Sequence, residues 1–163
     1  MRRRCPIAVI LTPVILTACG LFAVGLLAAC SDALGPLQSE LNANWQKWDA
    51  QELSDYTYRF RQLCFCPQEI TDEVWIQVED NRVVSATFVE SGEPVGQPRL
   101  GELRTIDGLF DYLQDAIDGE AHSIEATFDQ TLGYPTHAAI DFIENAVDEE
   151  QAFTAEELTP PQS

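Results

Sequence analysis

Val74-Trp75-Ile76-Gln77-Val78-Glu79-Asp80-Asn81-Arg82-Val83-Val84-Ser85-Ala86-Thr87-Phe88 is the stretch that decides the fold. Val74, Ile76 and Val78 alternate with Trp75, Gln77 and Glu79, and Val84, Ala86 and Phe88 share one side of the return, the period of strands with one buried face. Asp80-Asn81 between the two runs is a two-residue connection whose members both tolerate positive φ. The stretch therefore predicts a β-hairpin, and a hairpin commits the sheet to antiparallel neighbours.

Upstream, Tyr56, Tyr58 and Phe60 alternate with Thr57, Arg59 and Arg61, a third strand ending at Cys64 to Pro67 because proline cannot continue a ladder. Before it, Ser39 is placed to cap a helix running to about Gln51, with Leu41, Trp45 and Trp48 on one face. The tryptophans follow packing spacing, which assigns them to a core. Downstream, Thr105 caps a second helix whose Ile106, Leu109, Phe110, Leu113 and Ile117 form a stripe, with Gly119 placed to end it. Ser123 to Asp129 and Thr136 to Ile143 alternate on either side of a turn at Gly133, Tyr134 and Pro135, and Gln151 to Leu158 supplies a last strand. The expected fold is α+β, a mostly antiparallel β-sheet with two helices packed on one face, as a single domain over residues 39–158. Residues 159–163 are expected to be a disordered C-terminal end.

Glu90 to Arg104 carries Gly92, Pro94, Gly96, Pro98 and Gly101 without apolar periodicity, which predicts a loop of about 15 residues. Loops of that length inside a domain are uncommon and often functional or mobile. Arg99 and Arg104 sit in it, so this is the first place to look for a bound anion or an acidic partner. Asp129 and Asp141 are expected to face each other across the later hairpin, where two carboxylates can form an acid/base pair or a cation site, unless they are simply solvated.

Residues 1–29 read as a segment apart from the domain. Arg2, Arg3 and Arg4 precede an apolar body from Ile7 to Ala29, and Leu27-Ala28-Ala29-Cys30 then reads as the cleavage and lipidation box of a bacterial lipoprotein. Residues 1–29 are thus expected to be a signal peptide, Cys30 the lipid-attachment residue, and residues 30–38 a lipidated tether. Leu16-Thr17-Ala18-Cys19 is a rival box, but cutting there would leave an apolar stretch on the mature end. An uncleaved membrane-spanning anchor is the other alternative. Ser31 after the cysteine points, by the convention of lipoproteins, to the outer membrane facing the periplasm.

Removing residues 1–29 leaves 134 residues, enough for one buried core, and two cysteines besides Cys30, namely Cys64 and Cys66. Two thiols in an exported domain point to a disulfide. Residues i and i+2 of a strand stand about 6.6 Å apart, at the edge of what a disulfide tolerates, so the strand has to bend or end there. A redox pair or a soft-metal site is the sharper alternative, with only His122 and His137 to add as nitrogen ligands. All 27 acids but only six bases lie beyond residue 29, a net charge of −21. Such a surface repels phosphate backbones, which excludes nucleic-acid binding, and it suits a cationic partner, divalent-ion binding or plain solvation.

Tyr56-x-Tyr58, Cys64-Phe65-Cys66-Pro67, Thr105-Ile106-Asp107-x-Leu109-Phe110, Phe128-Asp129, Gly133-Tyr134-Pro135-Thr136, Ile140-Asp141 and Asp148-Glu149-Glu150 come in the order of a known family. Over roughly Trp45 to Leu158 the chain resembles the small bacterial lipoproteins of the domain-of-unknown-function family 6174. Asp80-Asn81 departs from the glycine-containing turn expected there, which leaves the turn type open. The resemblance implies an exported or lipid-anchored domain and carries over no catalytic residue. The expectation is a non-enzymatic envelope module without a cofactor, held to the membrane by its lipid and binding an envelope partner or ligand. A metal or small-ligand binder using Cys64 and Cys66 or the strand acids is the alternative, and a thiol oxidoreductase a more distant one.

Overall fold

A computed structural model describes residues 34–144 and 150–161. In chain order its elements are α1 (Gly35–Asp49), β1 (Tyr56–Leu63), α2 (Gln68–Thr71), β2 (Val74–Glu79), β3 (Arg82–Phe88), α3 (Ile106–Asp118), β4 (Ser123–Phe128), β5 (Pro135–Asp141) and β6 (Gln151–Thr159), with a short 3-10 turn at Arg99–Glu102. The six strands form one sheet in the order β3-β2-β1-β6-β5-β4, every neighbouring pair antiparallel. The chain thus walks from the centre to one edge, crosses to the opposite edge through α3, and walks back to pair β6 with β1. Among the described residues no helix is long and apolar enough to cross a membrane.

α1 and α3 pack on one face, as the periodicity requires. Leu41 and Trp48 of α1 and Ile106, Leu109, Phe110 and Leu113 of α3 join Tyr56, Tyr58, Phe60, Ile76, Ile140 and Phe153 in a single core. Trp45 stacks on Phe110 at 5.1 Å, and Trp48 meets Tyr56 edge-on at 5.4 Å, geometries that aromatic quadrupoles favour. The buried tyrosine hydroxyls tie the start of α3 to the sheet. Tyr56 accepts from the Ile106 amide at 2.9 Å, and Tyr58 donates to the Arg104 carbonyl. Burial pushes both phenols above their ordinary range, so they serve as neutral hydrogen-bonding groups.

Asp80 and Asn81 both adopt left-handed φ, +48° and +58°, the signature of a type I′ turn whose twist matches its strands. The Thr105 hydroxyl accepts from the Gly108 amide at 3.1 Å, the N-cap expected of it. Several boundaries differ from the sequence reading, among them the end of β5 at Asp141 rather than Ile143. α1 starts at Gly35 rather than at a Ser39 cap, because Pro36 fits a first helical turn where its missing N–H is no loss, and Ser39 instead donates to the Gly35 carbonyl. Residues 35–38, assigned to the tether, are therefore helical. α3 ends at Gly119 as expected, but that residue keeps right-handed geometry (φ −75°) and the left-handed position falls on Glu120 (φ +54°). Thr159, assigned to a disordered end, extends β6 and pairs with Thr57.

The loop from Glu90 to Arg104 is tied along its length. The amides of Phe88 and Val95 donate to the carbonyls of Glu93 and Ala86, and Pro94 bridges to Thr87, so the chain folds back along β3. Val95 is buried in the core.

Candidate functional site

The end of the sheet where β1, β3 and β5 stop and β2, β4 and β6 begin gathers most of the exposed large apolar side chains among the described residues. Leu63, Phe65, Val89, Phe142 and Ile143 all lie there, and only Val84 lies elsewhere. β1 stops at Leu63 because Cys64 and Cys66 are bonded to each other, with Cα atoms 5.2 Å apart, shorter than the spacing of an unbent strand. Pro67 and the single turn of α2 lead the chain away. The closed ring holds Phe65 outward, 83% exposed. Beside it an open groove of about 740 Å³ is lined by Leu63, Phe65, Ser123, Glu125, Asp141 and Gln151.

The groups marked in the sequence take other places. Arg99 is buried and does not project from its loop: its Nη2 donates to the carbonyls of Ile70 and Asp72 at 3.1 and 2.7 Å, and its guanidinium covers the Phe88 ring. Burial pulls its pKa below the ordinary value. Arg104 lies over the Tyr112 ring at 4.5 Å. The expected anion-binding loop is thus a clamp: Nη2 serves the two part-buried backbone carbonyls, and Nη1 is buried with no hydrogen-bond partner. The groove that does open beside this loop, about 660 Å³, is lined by Asp72, Glu73, Glu90 and Glu93 around Phe88 and Arg61, the opposite of an anion site.

Asp129 and Asp141 do not face each other. In the β4–β5 register Ser123 is opposite Asp141 and Phe128 is opposite Pro135, so one acid stands at the turn and the other at the open end. Asp129 accepts from the Thr131 and Leu132 amides, and Asp141 from the Ile143 amide. With Cys64 and Cys66 bonded to each other, neither offers a thiolate to a metal, and among the described residues neither His122 nor His137 completes a ligand set. Among the described residues no group of three His, Cys, Asp or Glu side chains is placed to hold a metal ion. Cys30 and Cys19 lie outside the described residues.

Across the helix-free face Arg59 meets Glu73, Glu156 and Glu157 at 3.5, 2.6 and 2.8 Å. Hydrogen bonding to Glu156 raises its pKa further. Sequence reasoning missed Phe65, Phe142 and Ile143 as surface groups because it assigned the last two to the alternation of a longer β5. The signal for Phe65 was present: a large aromatic between two cysteines sits where a strand must bend, with no neighbouring pattern to bury it.

No curated protein and no solved structure matches the chain. One family model does, over residues 40–160, most of the length and the whole of the described sheet. That extent shows that the chain belongs to DUF6174, a family of unknown function.

Proposed function

We propose that the chain is a lipid-anchored protein of the cell envelope, acylated at Cys30 and facing the periplasm from the outer membrane, whose domain is a non-catalytic interaction module. The anchor reading is supported by Arg2 to Arg4, the apolar run to Ala29 and the box that ends in Cys30. The module reading is carried by one observation: Leu63, Phe65, Val89, Phe142 and Ile143 are all exposed at one end of the sheet, Leu63 and Phe65 at its covalently closed loop. Covering Phe65 alone is worth roughly 1.5–3 kcal/mol, and a preformed loop loses little entropy on doing so. Groups that chemistry would use are engaged elsewhere, the two thiols in a bond and the buried tyrosines at the start of α3.

Two measurements test the reading. In fractionated cells wild type and Cys19→Ser are expected in the membrane with an acylated Cys30 peptide, and Cys30→Ser in the soluble fraction. A soluble wild type would remove the anchor. A photo-crosslinking amino acid at position 65 is expected to capture lipid or protein that the same group at position 84 does not. Equal capture at both positions would remove the module.

A further inference from the structure

We propose that the apolar end of the sheet docks on the bilayer that carries the anchor, with Phe65 entering a zwitterionic lipid interface; this rests on the reading of Cys30 as acylated. The placement follows from register. Leu34, where the described chain begins, shares a groove with Ala121 and His122. Those residues lead directly into Ser123, which is opposite Asp141, and Phe142 and Ile143 follow. On the next strands Ile140 is opposite Gln151 and Ala152 is opposite Leu63, which leads into the Cys64–Cys66 ring. The point at which the chain enters the domain and the exposed apolar side chains therefore lie at the same end.

The tether leaves little freedom. Because α1 begins at Gly35, only residues 31–33 separate Cys30 from Leu34, and four Cα steps span at most about 14 Å. The Asp80-Asn81 turn lies at the other end of β2, a strand of 6 residues and so about 20 Å away. Gln38 and Gln114 exchange side-chain hydrogen bonds of 2.7 and 3.0 Å, which fixes the first turns of α1 against α3 and so fixes which end the tether leaves. An anchored chain meets its own bilayer at high effective concentration, so a small patch is sufficient where a free protein would need a larger one.

Charge selects the lipid. Glu125, Asp141 and Glu150 border the apolar groove, within a domain of strongly negative net charge, so an anionic surface repels this end and a zwitterionic one does not. A single aromatic on a rigid loop suits the interfacial region, which accepts side chains to a depth of about 5–10 Å.

The test uses the full acylated chain reconstituted in phosphatidylcholine vesicles with bromines near the top of the acyl chains. Relative to wild type, which has Trp45, Trp48 and Trp75, the emission added by Phe65→Trp is expected to fall by about half, since the bromines lie at that interfacial depth. The emission added by Val84→Trp is expected to be unchanged, and phosphatidylglycerol is expected to weaken the Phe65→Trp quenching. Unquenched Phe65→Trp in protein whose mass shows the acyl chains overturns the proposal and leaves the anchor standing. Unquenched emission that shifts to the blue with protein density also overturns it, making the patch a contact between copies. Protein that carries no acyl chain and does not float with vesicles removes the anchor, and the docking with it.

Discussion

Arg99 shows how one residue's chemistry can be read correctly and its direction wrongly. A base in a glycine- and proline-rich loop looks like a surface group, but two backbone carbonyls at the α2–β2 junction need a donor, and Arg99 turns inward to supply it. Sequence reveals the donor and not the acceptors, because those belong to a segment 27 and 29 residues away. Arg99→Ala is expected to lower stability by about 2 kcal/mol in denaturant unfolding, the scale of charge-assisted hydrogen bonds lost from a buried site. Asp107 gives a pH-dependent counterpart. Burial raises its carboxyl pKa, while the Trp48 indole N–H, donating at 3.0 Å, opposes the shift. A raised folded-state pKa means that the folded chain holds the proton more tightly, so this residue's contribution is full below the unfolded value near 3.9 and is lost as pH rises through the folded value. Asp107→Asn keeps an acceptor for the indole and removes the titration. Its stability relative to wild type is expected to rise as pH increases from about 4, as thermal unfolding across pH would show.

At the scale of elements, periodicity identified the two long helices and all six strands, because each has one buried face that imposes its period on the sequence. Ends were less legible. α1 starts early because Pro36 is neutral at a first turn, and beyond the Gly119 cap of α3 the left-handed position falls on Glu120, not on the glycine. The amides of Glu120 and Ala121 donate to the carbonyls of Ile117 and Ala116, a Schellman closure with a side chain in the left-handed position. Glu120→Gly is expected to stabilise by about 0.5–1 kcal/mol, read from the melting temperature. The β4–β5 turn behaves in the reverse sense. Gly133 has φ +87°, and an added Cβ would lie 2.5 Å from the Asn44 carbonyl oxygen and 3.0 Å from Lys47 Cβ, so α1 passes directly over the turn. Gly133→Ala is expected to destabilise by about 2–4 kcal/mol in denaturant unfolding, combining backbone strain with overpacking.

At the scale of the whole molecule, fold class and the helix-covered face were legible, while strand order was not. Local patterns specify which strands turn back on themselves; they carry no information on which edge the chain reaches after α3. The site followed the same division. The bond between Cys64 and Cys66 could be anticipated from their being the two cysteines left in a domain expected to be exported, whereas Phe142 and Ile143 share its end of the sheet only because β5 and β1 end at the same side. The pairing of β1 with β6 has a consequence for biogenesis. The first strand to be synthesised is central, and its inner neighbour is the last, so Arg61 waits for Thr154 through most of the domain. Contacts so distant in sequence fold slowly, and a chain that ends at Glu150 is expected to give no cooperative melt by circular dichroism. Until β6 is made, β1 and β5 each lack a neighbour and the polypeptide has no completed sheet to resist unravelling.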